Sequence, residues 1–372
     1  TAHPGKIVSI LDSTILDDLA QQAIDFQGAP APARPWLHSS VRFIFTKNNL
    51  RGIPYSVAMS GNRNTPHRML AHADYLTYLV HYADTGRVPL RQDDRLLEFP
   101  NRYRDQSWQA MASSALGSGA FPVFLKSRIL QRPATDYNYR FLLIPDDQSS
   151  QLEVATMVPD WSGESVGTYS AVVVDGGSMN NEPLELARTE LAGIAARNPR
   201  AGKLANRAVI MIDPFPDDAP NPFDAKKDLD GSILSALTGL LGSWKDQSRF
   251  SAAAMSLAES DAVYSRFMIT PDRAGSTDSN GFDLTSGSIG GFGGFLSEQY
   301  RRHDYLLGRR NCQQFLRKHF TVPVTNTNLI RRINPALLSA DNPLLVKNGA
   351  GELEIPLIPL IGKLLKEEPL PD

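Results

Sequence analysis

Cysteine is nearly absent: the 372 residues contain one, Cys312. A lone thiol excludes an intrachain disulfide framework and any zinc site built from several cysteines, and it fits a reducing compartment. Long apolar runs are missing too. No stretch approaches the roughly 20 residues of a membrane-spanning helix, and the opening TAHPGKIVSILDS lacks the charged-then-apolar profile of a signal peptide. Neither sign of charge dominates, since 38 Lys plus Arg stand against 40 Asp plus Glu. The formal net charge of -2 gives no global footprint for nucleic acid. The seven histidines show no metal-ligand spacing, and the glycines from 287 to 294 fit neither a Walker loop nor GxGxxG. We expect no metal, organic cofactor or nucleic-acid partner, and a cytoplasmic location with peripheral membrane contact open.

What is present is a chain able to bury a core, 42% hydrophobic and 21% charged. ILDDLAQQAIDF, preceded by Asp12 and Ser13, has helical spacing with an N-cap. SVRFIFTKNN alternates Val41, Phe43 and Phe45 as a half-buried strand does; LRG reads as a turn and IPYSVAMSG as its partner. HRMLAHADYLTYLVHYA reads as a helix, as does DQSWQAMASSALGSG. YRFLLI and LEVATMV read as strands. NEPLELARTELAGIAARN reads as a helix between the apolar strands AVVVDGG and ANRAVIMIDPF, which together suggest a βαβ unit. From about 216 to 290 the composition suggests a helical excursion. A long basic helix or a broken pair of helices follows, with Arg301, Arg302, Arg309, Arg310, Arg317 and Lys318, before an apolar end, IPLIPLIGKLL.

The stretch AVVVDGGSMNNEP carries the first chemical candidate. A buried parallel strand ending on Asp175 places a carboxylate at the lip where open α/β sheets bind ligands. The plainer alternative is a turn in which Asp175 bonds backbone amides downstream. Other candidates are weaker: adjacent positions on a helix do not face each other, so His303 and Asp304 read as surface residues, and Asp213 reads as structural.

VVVDGGSMNNEP resembles the Asp-Gly-Gly element of patatin-like phospholipases. ALGSGAFPVF, FTKNNLRGIPY and FGGFLSEQYRRHDYLLGRRNCQQFLRKHF resemble further blocks of bacterial members in the same order. The resemblance implies an α/β domain over residues 1–372, a three-layer fold with a mostly parallel sheet and a helical insertion at about 216–290. It implies a lipid acyl-ester hydrolase, of phospholipase A or lysophospholipase type, working through a Ser-Asp dyad with Asp175 as base. Gly176 and Gly177 would shape the turn, and Asn180 and Asn181 would fix the loop or bind a headgroup.

The glycine-rich oxyanion loop and the Gly-x-Ser-x-Gly elbow of that family do not occur in this sequence. VAMSGN around Ser60 lacks the flanking glycines, Ser118 follows a helix rather than a strand, and Thr1 is the remaining candidate nucleophile. The resemblance therefore implies an N-terminal segment carrying GxSxG on another chain. The alternative is a non-catalytic lipid-binding or assembly subunit.

Overall fold

The computed structural model describes residues 7–25, 34–59, 62–83, 86–98, 106–145, 152–163, 167–180, 183–194, 196–214, 232–233, 236, 240, 243, 263–272, 284–287, 293–330, 339 and 342–366. The chain divides into two compact units, Thr1–Pro183 with Ile233–Arg249, and Leu184–Ser232 with Phe250–Asp372.

In the first unit, helix α1 (Thr14–Ile24) begins where Asp12 Oδ1 accepts the Thr14 N–H at 2.9 Å, an orphan donor of the first turn. Strands β1 (Ser40–Met59) and β2 (Asn62–His81) form a long antiparallel pair. Strand β3 (Asp94–Glu98) runs parallel to β2. Helix α2 (Gln106–Ser118) packs over β1, followed by β4 (Arg128–Pro133), the hairpin β5 (Arg140–Pro145) and β6 (Leu152–Met157), and β7 (Thr168–Asp175). Helix α3 (Gly177–Asn180) follows almost at once.

The sheet order is β3-β2-β1-β7-β4, and only β2 with β3 is parallel. This overturns the mostly parallel, three-layer patatin-type sheet and the family assignment that rested on it. Strand β7 lies antiparallel to both β1 and β4, while its supposed βαβ partners, helix α4 (Leu184–Ala192) and strand β8 (Val209–Ile212), belong to the second unit. An apolar run reports burial on both faces, and burial carries no strand direction.

Two further expectations fail locally. The LRG turn is a bulge inside β1: pairing passes from Asn48 with Ala73 to Ile53 with Ala71, so four residues, Asn49 to Gly52, oppose His72 alone. Asn49 Oδ1 accepts the N–H groups of Arg51 and Gly52 at 3.1 and 3.0 Å, and Gly52 takes φ 79°. HRMLAHADYLTYLVHYA is a strand, β2, rather than a helix. Its inner face, Leu76, Tyr78 and Val80, packs with Leu97, Leu130 and Val173 in one core, joined by Phe45, Trp108 and Met111. Each such side chain contributes about 1.5–3 kcal/mol when fully buried, enough to override local helix preference.

In the second unit, β8 and β9 (Arg266–Ile269) form a parallel pair. Helices α5 (Gly293–Leu296) and α6 (Glu298–Lys318) precede strands β10 (Thr321–Pro323), β11 (Val346–Lys347) and β12 (Leu353–Pro356), whose order is β10-β12-β11. Val322, Ile330 and Ile355 form their core. Most of the stretch from 216 to 290 lies outside the described residues; those described include β9.

Candidate functional site

Asp175 ends β7. Its N–H donates to the Ala120 carbonyl at 3.0 Å, and its Oδ1 accepts the Gly177 N–H at 2.7 Å, the Asx-type bond of the plainer reading. Burial raises the carboxyl pKa above its ordinary value, partly offset by the Gly177 bond. A carboxylate held this way is a better proton acceptor than one in water.

Gly176 matters through contact rather than through turn geometry. A Cβ there would lie 2.3 Å from Thr46 Oγ1 and 2.5 Å from the Thr46 carbonyl carbon and oxygen. Only glycine lets the end of β7 approach β1 this closely. Gly177 opens α3 and Asn180 closes it, while Asn181 lies outside the described residues.

The register sets three charged residues in a row. Lys47 on β1 is opposite Asp74 on β2 and opposite Asp175 on β7, and opposed residues of neighbouring strands project to one face. Asp74, 3% exposed, is saturated. It accepts Tyr137 Oη at 2.6 Å, Arg140 Nη2 at 2.8 Å, Asn49 Nδ2 at 3.4 Å and Arg132 Nη1 at 3.5 Å. Arg132 Nε also reaches Asp136 at 3.0 Å, and Arg95 reaches the same carboxylate at 2.8 Å. This is a buried ion network, costly to break because removing one partner strands another charge.

Lys47 stands beside that network without joining it. It is 2% exposed, and its Nζ makes no hydrogen bond among the described residues. The amine lies 5.7 Å from the centre of the Phe45 ring. Burial pulls its pKa down to about 7; Asp74 works in the opposite direction, and Arg132 and Arg95 add to the lowering. An amine titrating near neutrality, paired in register with a strand position whose carboxyl has a raised pKa, is a combination that sites for proton transfer use, although among the described residues the two side chains make no hydrogen bond or ion pair.

Among the described residues, no hydroxyl hydrogen-bonds the Asp175 carboxylate. Ser178 Oγ donates to the Asp175 backbone carbonyl and accepts from Asn48 Nδ2, both at 2.8 Å. Ser118 meets this corner through its carbonyl, which accepts the Gly176 N–H at 3.2 Å. Ser60 and Thr1 lie outside the described residues. The Ser-Asp dyad and the Asp-Gly-Gly motif thus lose the parallel-sheet frame that gave them meaning, and Asp175 stands on its own geometry.

His303 and Asp304 also depart from expectation. His303 is 4% exposed, and its Nδ1 lies 3.0 Å from Asp304 Oδ1. Asp304 also accepts bonds from the backbone and hydroxyl groups of both Thr285 and Ser286. It is an anchor for that segment. Asp213 is buried, its N–H donating to the Ile269 carbonyl at 2.9 Å.

The sequence reading passed over Lys47 and Asp74. Continuing the alternation of Val41, Phe43 and Phe45 by one step puts Lys47 inward, a usable signal. Asp74 had none, because its segment was assigned to a helix.

Among the described residues, no helix is long and apolar enough to cross a membrane, and no group of three or more His, Cys, Asp or Glu could hold a metal ion. No family model matches the chain, and no solved structure matches it. The chain is 32% identical over 392 aligned residues to an uncharacterized protein, y4iI, of Sinorhizobium fredii (strain NBRC 101917 / NGR234). The alignment takes in 98% of this chain and 54% of that protein, so the chain spans about half the length of the curated relative it matches.

Proposed function

We propose that this chain supplies the proton acceptor for acyl-ester hydrolysis, with lipid esters as the substrate class. The observation that carries the reading is Asp175, desolvated at the end of a strand, with a raised pKa and a single amide on its carboxylate. In the reaction, Asp175 takes the proton of a hydroxyl nucleophile as that oxygen attacks the acyl carbon and passes it to the alcohol that leaves when the ester C–O bond breaks. Water, deprotonated by the same carboxylate, then cleaves the acyl intermediate to the free acid and restores the hydroxyl. Lys47, on the same face, adds positive charge to the region when protonated. The nucleophile comes from a segment outside the described residues, carried by a partner polypeptide.

The test is hydrolysis of a chromogenic short-chain ester and of phospholipid vesicles by the purified protein with whatever polypeptide accompanies it. Asp175→Asn keeps the side-chain shape and removes the basic oxygen. It should lower the rate roughly 10²–10⁴-fold with an unchanged melting temperature. A fluorophosphonate probe should mark the partner and not this chain. Undiminished hydrolysis by the variant, or inertness towards every ester, would remove Asp175 from the chemistry.

One observation favours a second, non-catalytic reading as an assembly module. On the edge strand β4, Ile129 is 70% exposed, and its neighbour in register, Val172 on β7, is 43% exposed. An apolar pair beside a sheet edge that no described strand covers suits a strand or helix of another polypeptide.

A further inference from the structure

We propose that the end of helix α2 with the two residues after it, Gly117 to Ala120, is a pH-sensitive latch: it closes over the Lys47 amine and seats Asp175 while the amine is neutral, and it lifts when the amine takes a proton. Helix α2 covers the face of the sheet on which Lys47, Asp74 and Asp175 stand. Its Trp108 and Met111 pack on the core of Leu76, Tyr78, Val80 and Val173, and Ser114 Oγ lies 2.8 Å from Tyr78 Oη. At the helix end, a Cβ on Gly117 would meet Val173 Cγ2 at 3.3 Å and Lys47 Cε at 3.5 Å, so the helix backbone lies directly on the lysine stem.

The residues that rest on the lysine also hold the candidate base. The Ala120 carbonyl accepts the Asp175 N–H at 3.0 Å, and the Ser118 carbonyl accepts the Gly176 N–H at 3.2 Å. Gly117 and Ala120 are buried. Three residues beyond Ala120 the chain passes through Val123, whose φ of 73° a β-branched side chain avoids. The latch therefore closes next to strained backbone, and that segment relaxes when the end lifts.

A charged amine has nothing to bond in the closed state. Its Nζ makes no hydrogen bond among the described residues, and burial is the main reason that its pKa falls to about 7. Asp74 on β2 favours the proton, while Arg132 on β4 and Arg95 on β3 oppose it. Asp74 is already occupied by four other donors. The remaining ionisable groups of this face are Asp175 in register on β7, Tyr78 on β2, whose phenol burial pushes up, and Arg128 on β4, which is paired with Asp17. Helix α2, QSWQAMASSALGS, and helix α3, GSMN, carry no ionisable side chain. No carboxylate on the covering helix compensates the ammonium, so water must, and the helix end is what stands in its way. Lifting it also returns Asp175 to water and weakens it as a proton acceptor. That consequence rests on the ester-hydrolysis reading above; the latch does not.

Amide hydrogen exchange of the intact chain at pH 6 and pH 8, corrected for the intrinsic pH dependence of exchange, tests the latch without any activity. The Asp175 and Gly176 amides should exchange through a local opening, with much less protection than Leu79 and Val80 in β2. Their protection should rise about tenfold from pH 6 to pH 8, as the closed amine loses its proton. Lys47→Met has no proton to gain and should be well protected at both pH values. Asp175→Asn leaves the amine in place and should keep the tenfold rise. Protection equal to that of Leu79 and Val80, or a rise that persists in Lys47→Met, overturns the latch. So does a rise lost in Asp175→Asn, which would assign the proton to the carboxylate and decides the matter even if Lys47→Met does not fold. Ester hydrolysis by the same Asp175→Asn protein reports on the hydrolysis reading alone.

Discussion

Lys47 is the residue whose chemistry is furthest from ordinary. In the unfolded chain its amine holds a proton up to about pH 10.5, and in the folded chain it releases the proton near pH 7. Between these values the unfolded state binds more protons, so stability rises with pH; the penalty is complete below pH 7 and amounts to about 5 kcal/mol. Denaturant unfolding should show stability rising by about 2 kcal/mol between pH 7 and 9. The charges that act on the amine are those of Asp74, Arg132 and Arg95, and Lys47→Met leaves all three in place, so the comparison isolates the amine. The variant should lose the slope and be more stable at pH 7. Equal slopes in the two proteins would show that the amine is hydrated and titrates normally. Asp175 could be picked from the sequence because a carboxylate after four apolar residues is conspicuous. Its neighbour in space, 128 positions earlier, left only the faint signal of an alternation continued one residue too far.

At the level of elements, the junction of β7 and α3 lies against β1, and Gly176 is what allows it. Gly176→Ala would drive a methyl group into the Thr46 backbone, where no side-chain rotation can relieve the overlap. The expected cost is about 1–3 kcal/mol or more, read as a fall in denaturant midpoint with little change in slope. A variant as stable as the wild type would mean that β7 and β1 do not pair as described. The same junction shows why elements differ in legibility. Helices α2 and α6 follow their local spacing, because helical periodicity is legible within a few residues. Strand β2 does not: Met69, Leu70, Ala71 and Ala73 favour a helix, and only pairing with β1 on one side and β3 on the other supplies the hydrogen bonds and the core that make it extended. LRG reads as a turn in the sequence, yet Gly52, at φ 79°, lets β1 continue past a bulge rather than reverse.

For the molecule as a whole, the open side of β4 is where an assembly function can be tested. Ile129→Lys exchanges an exposed apolar side chain for a charge and should cost less than about 0.5 kcal/mol in the isolated chain. If β4 and β7 present a docking face, sedimentation should show the wild type associating, with itself or with a co-purifying polypeptide, and the variant as the free chain. Identical sedimentation of the two would remove the assembly reading. What the sequence determined by itself was a set of local facts: a chain with a substantial core and no disulfides, several helices and strands in their places, and an acid at the end of an apolar strand. The tertiary structure alone decided that β7 runs antiparallel to its neighbours, that the following helix and strand belong to another unit, and that Asp74, Lys47 and Asp175 share one face. The reason is physical: periodicity and capping report which side of a segment is buried, whereas direction and neighbour are fixed by hydrogen bonds to strands far away in the chain.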